Sequence, residues 1–319
     1  MAFETSRIAV PVRKPFGLFA TVISHGWYQT LPFRWHHDRQ MLERAERLGD
    51  GRVMVLEIRE QPSPRRAFRE VVVDIAGDHA SDPGVPEELG RRVTRMLRLD
   101  EDLAPFYAIC RKRPALAKAI KYGAGRNLRG SSLWEDVVKT ILGTNVLWKQ
   151  AVAMINRLAS LGDQSPRNSE MRAWPTPGQI LRAGANYLRD QVRAGYRSDY
   201  VIELARMQKD GDIDLDALEA PAAKMTSDEL FKALTAIKGV GKSSAHFLMN
   251  LLGHYDHIPV DSATQAYAKR VFFRGRKPTE RQIRRRFEQF GEWQALVYWF
   301  GRWSARLAWW EDASGRATR

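Results

Sequence analysis

Residues 226–270 read TSDELFKALTAIKGVGKSSAHFLMNLLGHYDHIPVDSATQAYAKR. The stretch begins with a capping box, in which Thr226 is followed three residues later by Glu229, and apolar residues then recur at helical spacing. A second apolar face follows the sequence Gly239-Val240-Gly241 and ends at Gly253. The pattern predicts two neighbouring helices joined by a glycine hairpin.

The hairpin has the features of an anion-binding site. Its glycines let the backbone approach a ligand closely, and the second helix begins with free N–H groups at the positive end of its dipole. We predict that a phosphate binds to residues Lys238, Gly239, Val240, Gly241, Lys242 and Ser243. An ordinary glycine-capped helix with two solvated lysines is an equally open alternative. A nucleotide-binding P-loop is excluded, because Ala236 stands where that motif needs a glycine.

Asp261 is the candidate catalytic carboxylate. It follows Gly241 by twenty residues, after an apolar connection at residues 258–260, and is predicted to begin the next helix. Aspartate is also a favoured N-cap residue. Capping alone, and capping combined with catalysis, are therefore both open.

The hairpin LTAIKGVGKSSAHFLMNLLG (residues 234–253), followed by IPVDSATQAYAKR (residues 258–270), resembles the helix-hairpin-helix, or HhH-GPD, superfamily of DNA glycosylases. The likeness is nearest to the DNA-3-methyladenine glycosylase II and 8-oxoguanine glycosylase branches. It implies an enzyme of base excision repair that acts on double-stranded DNA containing a damaged base. In that role the hairpin grips a DNA phosphate, and Asp261 acts at the deoxyribose of a flipped nucleotide.

Such a reaction needs a carboxylate, a wedge and a pocket. Cleavage of an N-glycosidic bond develops positive charge on the sugar, which an ionised carboxylate stabilises while it orients or deprotonates water. The base must also leave the stack to be reached. The resemblance implies that Asn145 enters the gap in the duplex, that Tyr196 wedges, that Arg197 contacts the opposite base, and that the helix with Trp293 and Trp299 lines the base pocket.

Each of these residues also has another interpretation. Leu147 and Trp148 are alternatives for the residue that enters the gap, and Asn145 is equally a candidate helix cap. Tyr196 is a candidate buried residue at a helix entry, and the tryptophans of a predicted helix at residues 291–310 are candidates for the core.

The position of one lysine bears on the reaction type. In the family, members that also cleave the strand carry a lysine two residues after the second hairpin glycine, where this chain has Ser243. Lys242 is one residue away, a rotation of about 100° around a helix. We therefore expect a monofunctional glycosylase that uses water and has no lyase activity.

The substrate is predicted from the aromatic residues and from the resemblance. Electron-rich rings attract cationic bases, so the ten tryptophans favour an alkylated purine such as 3-methyladenine. A glycosylase for oxidised bases such as 8-oxoguanine is one alternative, and a non-catalytic HhH module that only binds DNA is another.

The composition suits a folded partner of a polyanion. The 319 residues carry a formal net charge of +14, with a sequence pI near 10.1. Cys110 is the single cysteine, which excludes the four-cysteine iron–sulfur cluster of some relatives, so no cofactor is expected. A monovalent cation on the hairpin carbonyls stays open. We expect a monomer in the cytoplasm, associated with the nucleoid and not with a membrane, since no apolar run is long enough to span one.

The fold is predicted to be mainly α, with two domains. Residues 1–85 are predicted to form a small antiparallel sheet carrying one helix, with strands at 8–12, 17–24, 53–59 and 70–75 and a helix at 39–48. Residues 86–319 are predicted to form the all-helical HhH-GPD glycosylase domain. Within it, the basic run 270–286 is either a phosphate-binding surface or a solvated helix face.

Overall fold

The computed structural model describes residues 4–165, 170–219 and 225–304. Its N-terminal part is one antiparallel sheet, whose strands are β1 (Glu4–Arg13), β2 (Phe33–His36), β3 (Met41–Arg47), β4 (Val53–Pro62) and β5 (Phe68–Gly77). The strand order is β1-β5-β4-β3-β2. A short helix, α1 (Leu18–Val22), lies in the connection between β1 and β2.

From residue 85 onward the described chain is helical. The helices are α2 (Val85–Leu97), α3 (Ala104–Arg111), α4 (Ala117–Lys121), α5 (Leu133–Leu142), α6 (Trp148–Ala159), α7 (Pro177–Asp190), α8 (Arg197–Asp210), α9 (Leu215–Glu219), α10 (Ser227–Thr235), α11 (Lys242–Leu252), α12 (Ser262–Val271), α13 (Glu280–Phe287) and α14, described over residues 294–304. A helical domain preceded by a small antiparallel sheet domain confirms the predicted fold class. No helix within the described ranges is long and apolar enough to cross a membrane.

Two predicted elements of the sheet domain were wrong. Residues 39–48 contain β3 instead of a helix. This strand lies between β4 and β2, is buried on both faces and carries buried charged residues, which hid the two-residue period. Residues 17–24 contain α1 instead of a strand. The carboxylate of Glu60 accepts a hydrogen bond of 2.7 Å from Leu18 N at the start of α1, a long-range contact that no local pattern reveals.

The predicted hairpin helices are present, as α10 and α11. Thr226 caps α10, and the Thr226–Glu229 capping box forms as expected. Helix α11 begins after Gly241 and ends before Gly253, which has a φ of 98°. Ile258, in the connection before α12, is buried, as the apolar sequence of that connection indicates.

A buried cluster of charges joins the sheet to the helical domain. Arg44 on β3 donates two hydrogen bonds to the carboxylate of Glu135 on α5, at 3.2 and 2.7 Å, and a third of 2.6 Å to Glu46. The ammonium group of Lys139 lies 2.7 Å from Glu135 on the other side. All four side chains are at least 96% buried. Because charges in a dry interior are tolerated only when paired, this cluster fixes how the two domains dock.

We expect Arg44→Ala to lower the free energy of unfolding by about 3–5 kcal/mol, since it leaves two buried carboxylates without their guanidinium partner. Arg39→Ala is the matched control. It removes a half-exposed arginine that binds Glu57 in the same sheet, and it should cost less than about 1 kcal/mol. Urea unfolding of both variants measures the difference. Equal losses would show that the buried cluster does not hold the domains together.

Candidate active site

The hairpin brings together the predicted phosphate-binding residues. Gly239 has a φ of 91°, and a Cβ there would lie 2.7 Å from the ring of Tyr200, so the position needs glycine. Val240 is buried and anchors the turn. Gly241 is the N-cap of α11 and provides no side-chain hydrogen bond, which leaves the first amides of that helix without a side-chain cap.

The two hairpin lysines are exposed and hold weak ion pairs. Lys238 Nζ lies 2.7 Å from a carboxylate oxygen of Glu203, and Lys242 Nζ lies 3.2 Å from one of Glu280. Ion pairs between exposed groups contribute little free energy. Both lysines are therefore free to exchange these partners for a phosphate.

Asp261 caps α12, which confirms the capping role, and its side chain is exposed. Its Oδ1 accepts hydrogen bonds from Thr264 N at 2.6 Å and from Thr264 Oγ1 at 2.8 Å. Among the described residues, the side-chain hydrogen bonds of Asp261 use Oδ1 alone, so Oδ2 is available for a substrate or a water molecule. The catalytic role itself stays a prediction.

A line of hydrogen bonds connects Asp261 to the helix that was predicted to line the pocket. Arg302 donates to Tyr298 Oη at 3.0 Å, and Tyr298 Oη lies 2.6 Å from Thr264 Oγ1. Burial raises the pKa of Tyr298, and the Asp261 charge adds to that effect. Tyr298 therefore keeps its proton at neutral pH and can donate it to Thr264 Oγ1. The single proton of Thr264 Oγ1 is shared between the carbonyl of Pro259, at 2.7 Å, and Asp261 Oδ1, at 2.8 Å.

An aromatic cluster lies beside this line. The ring of Trp299 on α14 is 6.2 Å from that of Tyr298 and 5.7 Å from that of Phe247 on α11. Phe247 contacts the rings of His25 and Trp27, at 5.6 and 5.8 Å. Phe247 follows Ser243 by one helical turn, so the two residues lie on the same face of α11.

Trp293 belongs to a different group of rings. It stacks on Tyr255 at 5.6 Å, in a short 3-10 helix at Glu288–Trp293 that precedes α14. The two tryptophans predicted for one pocket thus have different neighbours. The last part of that predicted helix, with Trp309 and Trp310, lies outside the described residues.

His25 and Trp27 were not among the residues predicted for this site, although residues 24–28 read SHGWY. His25 donates from Nε2 to the carbonyl of Leu128 at 2.6 Å, while its Nδ1 accepts from Trp27 N at 3.4 Å. Both contacts suit the neutral ring. Burial, together with the charge of Lys139, lowers the pKa of His25 to about 4. The unusual density of aromatic residues in SHGWY was the available signal.

The loop before α6 carries the predicted wedge residues. Asn145 has a φ of 50° and is exposed, and Leu147 is the N-cap of α6, so the interpretation of Asn145 as a helix cap is wrong. Leu147 is 74% exposed and Tyr196 is 50% exposed. A buried Tyr196 is thereby also excluded. Its hydroxyl accepts a hydrogen bond of 3.4 Å from Asn145, which lowers the pKa of Tyr196.

Arg197 does not lie where a contact with the opposite base would require. It is 5% exposed, and its guanidinium donates to the carbonyls of Thr144, at 3.0 Å from Nε, and of Ala194, at 3.3 Å. The Tyr196 ring covers it, with 4.5 Å from the guanidinium carbon to the ring centre. In this structure Arg197 packs against the loop before α6, where its N–H groups satisfy backbone carbonyls that would otherwise lack partners.

One segment of the sheet domain, residues 23–31, contacts both α6, which follows the predicted wedge loop, and α14, which carries Trp299. The indoles of Trp299 and Trp303 donate to the carbonyls of Ser24 and Ile23, at 3.0 and 3.2 Å. At its other end, Gln29 accepts a hydrogen bond of 2.6 Å from Trp148 at the start of α6. The sheet domain thereby holds α6 and α14 in one arrangement.

Two surface cavities lie away from Asp261. One of about 470 Å³ is lined by sheet-domain aromatics including Tyr28 and Trp35, and one of about 610 Å³ by arginines of α2 including Arg95. We assign the site to the surface around Asp261 because hydrogen bonds through Thr264 and Tyr298 connect its carboxylate to the helix that carries Trp299.

Fold and site thus define a helix-hairpin-helix protein with an exposed carboxylate at the start of the helix that follows the hairpin. Comparison with known proteins agrees with this description: residues 138–292 match the model of the HhH-GPD superfamily of base excision DNA repair proteins. This part of the chain is therefore similar to that superfamily.

Individual relatives agree. The chain is 25% identical over 220 residues to the DNA-3-methyladenine glycosylase of Bacillus subtilis (strain 168), a match that covers 67% of this chain and 71% of that protein. The 3-methyladenine DNA glycosylase from Archaeoglobus fulgidus has a similar structure, with a TM-score of 0.72, 18% identity and coverage of 94% and 98% of the two chains. The apo form of the Clostridium acetobutylicum 8-oxoguanine glycosylase/lyase is also similar, with a TM-score of 0.63 and 18% identity. The match covers 95% of this chain and 98% of that chain. Together these findings support a DNA glycosylase, a hydrolase of N-glycosyl bonds.

We expect the neutral His25 to make the protein less stable in acid. Its pKa rises from about 4 in the folded chain to about 6.5 in the unfolded chain, so the unfolded state binds more protons between these values. Its contribution is complete above about pH 6.5 and is lost as the pH falls to about 4, a loss of about 2–3 kcal/mol. Unfolding free energies measured across this range should fall less steeply for His25→Gln than for the wild type. Parallel curves would contradict the assignment.

Proposed function

We propose that the protein is a monofunctional DNA glycosylase that excises alkylated purines, such as 3-methyladenine, from double-stranded DNA. The observation that carries the proposal is the exposed Asp261 carboxylate, which is held by Thr264 and Tyr298 next to an aromatic cluster. The hairpin at residues 238–243 binds a phosphate of the damaged strand, and this contact sets the distance from the backbone to Asp261.

In the reaction the damaged nucleotide rotates out of the duplex and its base enters beside Trp299 and Phe247. The wedge residues of the Asn145–Leu147 loop and Tyr196 occupy the gap. As the glycosidic bond breaks, Asp261 Oδ2 stabilises the cationic sugar and directs a water molecule to its anomeric carbon. The hydrogen bonds from Thr264 to Oδ1 hold the carboxylate in place during this step.

Two observations support the substrate class. Trp299 and Phe247 offer electron-rich rings, which attract the delocalised positive charge of an alkylated purine. The relative from Bacillus subtilis and the structural neighbour from Archaeoglobus fulgidus are both named for 3-methyladenine. The partner is duplex DNA, and the Clostridium acetobutylicum enzyme, with a TM-score of 0.61, is known in complex with double-stranded DNA containing cytosine opposite 8-oxoG.

Asp261→Asn tests the catalytic role. The amide keeps the capping acceptor but loses the negative charge, so base release should fall by about 10²–10³-fold while duplex binding stays within a few fold. The measurement is single-turnover release from duplexes that each contain one lesion, either 3-methyladenine, 7-methylguanine or 8-oxoguanine, followed by alkali cleavage. Release of none of these bases by the wild type, with binding equal to that of Asp261→Asn, would identify a non-catalytic DNA-binding module. Release of 8-oxoguanine alone would overturn the substrate proposal.

Ser243→Lys tests the absence of lyase activity. Wild-type protein, which has no amine at this position, should give no covalent product with borohydride, whereas the variant should form a trappable Schiff base with the abasic sugar. Lys242→Gln serves as the control for the neighbouring amine. Trapping by the wild type that disappears in Lys242→Gln would show that Lys242 acts as a nucleophile and that the enzyme is bifunctional.

A further inference from the structure

The strongest concentration of charge in the chain lies outside the hairpin. Residues 269–286 contain nine basic side chains and one acidic side chain, so they hold +8 of the net charge of +14. Eight of the nine are exposed, and none of these eight forms an ion pair with a carboxylate of the described residues. We call them the basic surface: Lys269, Arg270, Arg274, Arg276, Lys277, Arg281, Arg285 and Arg286. The ninth, Arg284, is occupied by Glu280 and by the carbonyl of Ile258.

The surface has a rigid foundation. Ile283 and Phe287 of α13 are buried, and Phe287 packs edge-on against Phe272 at the end of α12, with 5.8 Å between ring centres. The guanidinium of Arg286 lies over Phe272, at 5.2 Å. Side chains on such a support lose less conformational entropy on binding than residues of a free tail. On a helix face that was only solvated, neighbouring acidic residues could neutralise the basic side chains. Here the positive charges are not balanced in this way.

The surface is continuous with the hairpin. Glu280, in the first turn of α13, contacts both Lys242 of the hairpin, at 3.2 Å, and Arg284, at 2.8 Å. Arg281 is the next residue, and Arg285 follows it by one helical turn on the same exposed face. The phosphate-binding loop and the basic surface therefore adjoin each other through α13.

We infer that this basic surface binds the DNA backbone beyond the phosphate held by the hairpin. Its chemistry fits phosphates spaced along a duplex, and it has no exposed aromatic residue that would stack on an unpaired base. The contact is independent of sequence and of the lesion, since it reaches no base edge. The inference rests on the proposed function for the position of the duplex, but it concerns affinity and not chemistry.

The experiment measures duplex binding of the triple variant Lys277→Gln, Arg281→Gln, Arg285→Gln by fluorescence anisotropy over a series of salt concentrations. Each phosphate contact contributes about 0.9 to the slope of log K against log salt. The variant should therefore lower the magnitude of the slope by about 2–3 and weaken binding by about tenfold or more at low salt. Undamaged and damaged duplexes should lose affinity equally.

The matched control is Arg13→Gln, Arg65→Gln, Arg66→Gln. It removes the same charge from three exposed arginines on the sheet domain, so it tests the general effect of net charge. Its slope of log K against log salt should differ from the wild-type slope by less than about 0.9, the contribution of one phosphate contact. Equal slopes for the two triple variants would overturn the inference. Thermal unfolding confirms that both variants fold.

Base release keeps this inference separate from the proposed function. At saturating enzyme, the basic-surface variant should release the base at a single-turnover rate within about twofold of wild type, since Asp261 and the pocket are unchanged. A selective fall in that rate with an unchanged salt slope would place the basic surface in the catalytic step and reject it as a backbone contact. A wild type that binds DNA but releases no base rejects the proposed function, while the salt slopes still decide the inference.

Discussion

The position of the Asp261 carboxylate depends on two hydrogen bonds from Thr264, one from its backbone N and one from Oγ1, and a line of hydrogen bonds continues from Oγ1 to Tyr298 and Arg302. The line spans two helices, α14 and α12, and its middle residue is almost completely buried. A surface carboxylate would otherwise sample several rotamers. Here the same oxygen that caps α12 is held by Thr264, so the second oxygen has a fixed direction, which is the condition for stabilising a transient charge.

The hairpin supplies the other fixed point. Gly239 permits the turn beside Tyr200, and Val240 anchors it in the core, so the amides at the start of α11 have a constant position relative to the helices that follow. Under the proposed function, a phosphate bound there would set where the sugar lies. The hairpin and Asp261 would then be linked through rigid helices that share one continuous core.

The small sheet domain contributes to the site as well as to the core. Its segment at residues 23–31 accepts hydrogen bonds from the pocket helix and contacts Trp148 at the start of the wedge helix. Gly26 is needed there, because a Cβ would lie 2.3 Å from the Trp148 ring. The buried pairing of Arg44 with Glu135 then holds the whole domain against α5. The sheet domain therefore supports both α14 and the start of α6, the helices predicted to line the pocket and to follow the wedge loop.

The sequence by itself determined the helix-hairpin-helix, the capping box at Thr226 and the place of Asp261 at the start of a helix. These features depend on caps, glycines and helical periodicity, which act over a few residues. Only the tertiary structure decided that Arg197 turns inward, that residues 39–48 form a strand, and that His25 joins Phe247 and Trp299. Each of those outcomes depends on partners that are distant along the chain, and buried charges such as Arg44 look like surface residues until their partners are known.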